Sequence, residues 1–315
     1  MIFLPIEKLI FTTIIALLVF DVFWIYQKSI YLDVGGYFFS AIMGLIPLAL
    51  GQFYRLRGRE AGLGDVLTAS GLYILFTIAA SVFNYMFLPI SFEPIDEMLM
   101  RADNALGYSW PDIVTWISQY PLVGTALHYV YLTSLPQLLV TIIVLGFTGK
   151  RRALHWFLLT GSIGALLSIC FWIFFPTFGA KAYHDLTPEV IAAIPLAVDP
   201  AYGQELMRLG REGVAYLSPR NILGLIGFPS FHIFMALMSV FFVPRHSFFI
   251  AVFGTLNALM LPAVLIQGGH HLVDIFGGMI CFAITLPISR YIVERLDDKK
   301  MPANLKSNGA ELAAD

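Results

Sequence analysis

Apolar residues run through this chain in long unbroken stretches, not in alternation with polar ones. A stretch near 20 apolar residues wound as α-helix matches the hydrocarbon thickness of a bilayer, whereas barrel strands would alternate over about ten residues. Hydropathy predicts about eight such spans, over residues 9–26, 37–53, 66–88, 122–145, 153–175, 222–243, 247–266 and 272–292. The expected fold is an all-α integral membrane protein of about eight transmembrane helices.

The stretches between the spans differ in kind. Residues 91–120 mix Asp96, Glu97, Asp103 and Asp112 with Trp110 and Trp116. That pattern predicts one or two helices lying in the membrane interface and anchored by aromatics. Residues 179–221 mix helix formers with Lys181, His184, Arg208, Arg211 and Arg220, and read as a cap over one end of the bundle. Residues 1–60 form two N-terminal helices, 61–296 a membrane core, and 297–315, polar and small, a disordered cytoplasmic tail. The segment Met1–Lys8 is not followed by a small-residue cleavage site, so the first apolar run reads as a retained span.

Composition sharpens the class. Of 315 residues, 58% are hydrophobic and 13% charged, with mean hydropathy +0.78; a soluble domain carries about 25% charged residues. The net charge of −2 and the lack of a basic patch set nucleic acid aside. Cys170 and Cys281 both lie inside apolar runs, which argues against a disulfide framework. Lys and Arg cluster at Arg55, Arg57 and Arg59, at Lys150, Arg151 and Arg152, at Arg245, and at Arg290, Arg295, Lys299, Lys300 and Lys306. Eight spans put these on one side, expected to be cytoplasmic together with both termini. The other side then holds 91–120, 179–221 and the 267–271 turn.

Two short stretches on that second side carry the candidate chemistry. One reads Gly227-Phe228-Pro229-Ser230-Phe231-His232, the other Gly268-Gly269-His270-His271-Leu272-Val273-Asp274. Ionisable groups at membrane depth are costly and mark functional sites. If a helix begins at the glycine pair, His270 and Asp274 share one face, and the carboxylate orients the imidazole as base or nucleophile. His271 would point about 100° away. Pro229 suits the start of a helix whose first turn holds Ser230 and His232, with free N–H groups that attract an anion. His232 could donate a proton to a leaving group. Neither stretch contains Arg or Lys, so positive charge for a phosphate must come from Lys181, Arg208, Arg211 or Arg220.

Pro229-Ser230-Phe231-His232 and His270 to Asp274 resemble the second and third signatures of the type 2 phosphatidic acid phosphatase superfamily. The resemblance implies a six-helix phosphatase-like core over the third to eighth spans. It implies that His270 forms a phosphohistidine, that Asp274 orients it, that His232 protonates the leaving group, and that Ser230 holds a phosphate oxygen. The chain departs from the pattern in two places. Ala263 and Val264 stand where the third signature has Ser-Arg, and Lys181 is followed by Thr187-Pro188 where the first signature has Arg-Pro. With Phe-Pro-Ser-x-His and a His-rich third motif, the chain is similar to the divergent branch that includes inositol phosphorylceramide synthases. That branch implies a membrane lipid as substrate (phospholipid, isoprenoid phosphate or sphingolipid acceptor), and water or a lipid hydroxyl as acceptor. No metal or organic cofactor is required by that chemistry.

Other readings of the same residues remain. His232, His270 and Asp274 are possible metal ligands by type. The same cluster with Asp21 could serve an ion- or proton-coupled transporter, or the chain could be a catalytically degenerate relative. Asp21 is either bonded near its helix end or part of a proton relay.

Overall fold

The computed structural model describes residues 3–298. The tail expected from residue 297 lies, beyond Asp298, outside the described residues. The chain is all-α, in keeping with its apolar runs. Three long apolar helices come first: α1 (Pro5–Gln27), α2 (Val34–Leu56) and α3 (Ala61–Tyr85). Two short helices follow, α4 (Asp96–Ala105) and α5 (Trp110–Ser118). The next pair, α6 (Pro121–Leu132) and α7 (Ser134–Phe147), meets at a bend of 47°. Helix α8 (Arg151–Phe174) leads to a loop with a 3-10 turn (Ala180–Ala182), α9 (Pro188–Ala193) and α10 (Pro200–Glu212). The chain ends in α11 (Phe231–Phe242), α12 (Ser247–Gly268) and α13 (Leu272–Asp298).

Six of these helices are long and apolar enough to cross a membrane, and the number is seven if the bent α6–α7 pair is taken as one span. The expected span at 222–243 differs. Only its second half is helical, and the 12 residues of α11 reach about 18 Å, short of a bilayer core near 30 Å. Gly224, Gly227 and Pro229 interrupt the run. Their irregular backbone is paid for by neighbours: the Phe228 N–H donates to Thr177 Oγ1 at 2.8 Å and the Ser230 N–H to the Asp274 carbonyl at 3.1 Å. Non-helical backbone at membrane depth is tolerated where protein buries it in this way.

Ion pairs show which helix ends lie together. Arg55 at the end of α2 reaches Glu7 at the start of α1 (2.6 Å) and Asp65 at the start of α3 (2.7 Å). Arg151 at the start of α8 also reaches Asp65, at 2.7 Å. At the other end of the bundle, Lys28 after α1 donates to the carbonyls of Met86 and Leu88 after α3. The turns that carry the two histidine motifs lie at this second end, because α12 and α13 meet there and α11 begins there. The apolar stripe Ile6, Ile10, Ile14 and Leu17 of α1 is buried in the core with Leu72, Phe76 and Ala79 of α3, the spacing expected for one helical face.

The second end is covered by α4, α5, α9 and α10. A short parallel pairing of β1 (Tyr31–Leu32) with β2 (Tyr216–Leu217) ties the α1–α2 connection into this cover. One or two helices are expected in 91–120, and two are present. The aromatic anchors divide, however. Trp116 is exposed, but Trp110 is 1% exposed and packs in a core with Val114, Ile117 and Val190. Trp110 thus holds the cover together and is not free to face lipid headgroups.

Candidate active site

The second motif is a tight corner, not a continuous helix. Helix α12 stops at Gly268, and Gly269 takes φ +60° to reverse the chain, a conformation that costs glycine little. Helix α13 begins only at Leu272, so the expectation that it starts at the glycine pair does not hold. His270 and Asp274 meet by another route. Asp274 sits in the first turn, its N–H donates to the His271 carbonyl, and its Oδ2 accepts the His271 N–H at 3.0 Å. The side-chain bond back to the His271 N–H fixes the carboxylate. The same Oδ2 lies 2.8 Å from His270 Nδ1. A carboxylate there selects the tautomer with hydrogen on Nδ1 and leaves Nε2 as the basic nitrogen. Burial lowers the His270 pKa below the ordinary histidine value, and Asp274 pulls it partly back up.

The first motif faces this corner. Ser230 precedes α11 and His232 lies in its first turn. The His232 and His270 rings stand 6.1 Å apart between centroids at an interplanar angle of 71°. Tyr131, just before the bend between α6 and α7, stacks on His232 at 4.3 Å. Ser230 is fully buried, yet its Oγ has no hydrogen-bond partner among the described residues. An unpartnered buried hydroxyl is costly, and this one sits at a helix N-terminus beside two histidines. The motifs are pressed together through α13, where a Cβ on Gly278 would collide with the Ser230 carbonyl and the Ile233 side chain.

Of the basic residues proposed for phosphate, Lys181 is brought to the corner. It is 5% exposed, its Nζ donates to the Gly268 carbonyl at 3.2 Å, and its stem lies against Gly269. Burial pushes its pKa down to about 8, against the pull of Asp274 and Asp96. Arg211 and Arg220 are placed elsewhere. Both are exposed; Arg211 Nε donates to the Met207 carbonyl within α10, and the Arg220 backbone lies beside Ser218 near Asp33. Arg208 is taken up by Glu205 and Glu212. Arginines on the cover serve its outer surface because α10 turns its buried face, Leu206 and Leu209, inward.

His271, set aside in the sequence as pointing away, is held on both ring nitrogens. Nδ1 lies 2.9 Å from Asp103 Oδ2 and Nε2 lies 3.3 Å from Asp96 Oδ1. Two carboxylates acting as acceptors require both nitrogens to donate, so the ring is an imidazolium. Against the opposing effect of burial, the two carboxylates raise its pKa to about 9. Asp96 also accepts the N–H groups of Phe178 and Gly179, at 3.0 and 2.9 Å. One carboxylate thus links the histidine corner to the stretch of chain that carries Lys181. Gln267 performs a similar service beside it: buried, it accepts from Ala197 N–H and donates to the Gly124 carbonyl. Among the described residues no group of three His, Cys, Asp or Glu side chains is arranged to hold a metal ion.

A family model described as the PAP2 superfamily matches residues 97–288, well over half of the chain, and spans both histidine motifs. The chain belongs to the PAP2 superfamily. Membership supports a phosphatase-type membrane enzyme acting on a lipid phosphate. No curated protein and no solved structure matches the chain. In this PAP2 superfamily member the positions Ala263 and Val264 are completely buried in an apolar core. An arginine at either position would have its charge withdrawn from water in that apolar setting.

Proposed function

We propose that the protein is a membrane-embedded lipid phosphotransferase or phosphatase that works through a phosphohistidine on His270. The observation that carries this reading is the His270–Asp274 pair set opposite His232, with the unpartnered Ser230 hydroxyl beside them. His270 Nε2 attacks phosphorus as the bond to the leaving alcohol breaks, and His232 gives its proton to that oxygen. A phosphate anion bound beside the ring favours the protonated form of His232. Lys181, the Ser230 hydroxyl and the free N–H groups of the α11 N-terminus receive the phosphate oxygens. An incoming alcohol or water, losing its proton to His232, then attacks phosphorus. The N–P bond breaks and His270 is restored.

The charge at the site favours a phosphodiester over a monoester. Asp96, Asp103 and Asp274 are offset by only two cations, the His271 imidazolium and Lys181. A monoester brings up to two negative charges into this surplus, and a diester brings one. A diester substrate with a lipid hydroxyl as acceptor is transfer of a phosphorylated headgroup, as in the branch similar to inositol phosphorylceramide synthases. The clustering of basic residues at the opposite helix ends supports an outward-facing site with both described termini cytoplasmic.

The test is turnover of purified protein on phospholipid with a labelled headgroup and on labelled phosphatidate, with a lipid alcohol present. Free phosphate and headgroup-exchanged lipid are read together. Wild type is expected to yield exchanged lipid from the diester and His270→Ala to yield none. Equal turnover by the two proteins would remove His270 from the chemistry, and phosphate release from phosphatidate without exchange would make the protein a phosphatase.

A further inference from the structure

At the end of the bundle opposite the histidines there is a cavity that the proposed chemistry does not use. It measures about 550 Å³ and lies between the start of α8 and the last turns of α13. Lys150, Arg151, Arg152 and Arg290 line it, against a single lining carboxylate, Glu294. Arg151 is engaged by Asp65 at 2.7 Å and Arg290 by Glu294 at 2.9 Å. Arg152 is held only loosely, at 3.7 Å from Glu294 and 3.8 Å from Asp297. Lys150 has no ion-pair partner among the described residues. The cavity therefore keeps positive charge that internal pairing leaves over.

Two further features narrow the ligand. Trp156 forms part of the wall, its Nε1 donating to the Leu286 carbonyl and Ser289 Oγ, with the Arg290 guanidinium 5.6 Å from its ring. An indole joined to a cation at a helix end suits the level of lipid headgroups. On the neighbouring face of α13, Ile284, Ile288 and Tyr291 are between 45% and 55% exposed, spaced as one stripe along the helix. An occupant with its charged part among the basic residues would lay its apolar part on this stripe. Free phosphate has no use for such a stripe, and a zwitterionic headgroup would bring its own cation to Lys150 and Arg152.

We propose that this cavity is a binding site for the headgroup of an anionic phospholipid, separate from the catalytic corner and at the opposite membrane face. The phosphodiester and its net negative charge sit among Lys150, Arg152 and Arg290, and the acyl chains follow the α13 stripe. Each basic residue near a membrane surface adds about 1 kcal/mol toward anionic lipid, so Lys150 and Arg152, the two not tightly paired, together give a preference of more than about tenfold.

The test is native mass spectrometry of the intact protein, titrated with phosphatidylglycerol or with phosphatidylcholine of the same acyl chains. Wild type is expected to retain phosphatidylglycerol in preference, with inorganic phosphate unable to displace it. The triple variant Lys150→Gln/Arg152→Gln/Arg290→Gln is expected to lose that preference. Lys150→Gln alone, which removes no ion pair among the described residues, is expected to weaken retention several-fold and decides the matter if the triple variant does not fold. Unchanged retention in the variants overturns the site, and displacement by inorganic phosphate overturns the lipid assignment. Because the measurement reads retention and not turnover, it stands or falls independently of His270. The His270→Ala protein is expected to retain the lipid as wild type does.

Discussion

The Tyr131 ring lies on the His232 ring, 4.3 Å between centroids and 24° between planes. Tyr131 is the last residue but one of α6, just before the 47° bend into α7. An aromatic stack of this kind is worth roughly 0.5–1.5 kcal/mol and fixes the plane of the ring from which, in the proposed reaction, His232 offers its proton. Tyr131→Leu is expected to lower kcat about threefold to tenfold while KM changes little, and Tyr131→Phe to keep most of the activity. Steady-state turnover of labelled phospholipid checks both. A Tyr131→Phe protein as slow as Tyr131→Leu would shift the role from the ring to the hydroxyl.

His271 makes folding sensitive to pH. Its pKa rises from an unfolded value near 6.5 to about 9 in the folded protein. The folded state therefore binds more protons between these values, and the stability His271 contributes is complete below about 6.5 and is lost as pH rises through about 9. Lys181 acts in the opposite sense, since its pKa falls from 10.5 to about 8, and it adds stability as pH rises from 8 upward. The decline owed to His271 is thus clearest between pH 6.5 and 8. Melting temperature in detergent is expected to fall across that window for wild type and to stay level for His271→Gln. A wild-type curve that rises there would mean that Asp96 and Asp103 do not hold an imidazolium.

Gly278 sets the distance between the two motifs. Any Cβ at this position meets the Ser230 carbonyl, and backbone cannot move aside as a side chain can. Overpacking of this kind costs typically 1–3 kcal/mol. Gly278→Ala is expected to lower the melting temperature and to reduce turnover further than stability alone explains, because it parts Ser230 and His232 from Asp274. Thermal unfolding compared with turnover at a temperature where both proteins are folded separates the two effects. Full activity in a destabilised Gly278→Ala would show that the site tolerates the separation.

The spans were legible because about 20 apolar residues in a row have one common use. The 222–243 run misled because hydropathy averages the side chains and does not ask where the backbone bonds go. Gly224, Gly227 and Pro229 held that information, and with it the irregular segment that places Ser230. The residue types at His232, His270 and Asp274 could be read directly from their spacing. The partners of His271 could not, since Asp103 and Asp96 lie 168 and 175 residues away along the chain and look like any acids in a polar loop. Trp110 was misread for a related reason, as the same letter serves an interfacial anchor and a buried core residue. Lys181, Arg211 and Arg220 were equal candidates in sequence. What distinguishes Lys181 is the close approach of its stem to Gly269, which only the folded chain creates.

In the proposed reaction Lys181 is the cation that meets the phosphate, and its buried setting gives that role a pH limit. With a pKa of about 8 it is charged in neutral solution and loses its charge as pH rises through that value. The affinity for an anionic substrate is therefore expected to fall on the alkaline side, so that log(kcat/KM) declines above about pH 8. Lys181→Met removes the charge at every pH and is expected to raise KM and abolish the alkaline limb. Lys181→Arg keeps the charge, because guanidinium does not deprotonate in this range. It also forces a larger head into a slot bounded by Gly179 and Gly269. Its activity at pH 7 is expected to be lower than that of wild type, yet flat through pH 9. A pH profile of kcat/KM for the three proteins distinguishes these outcomes. An alkaline limb that survives in Lys181→Met would assign it to another group, with His232 or His270 the first to examine.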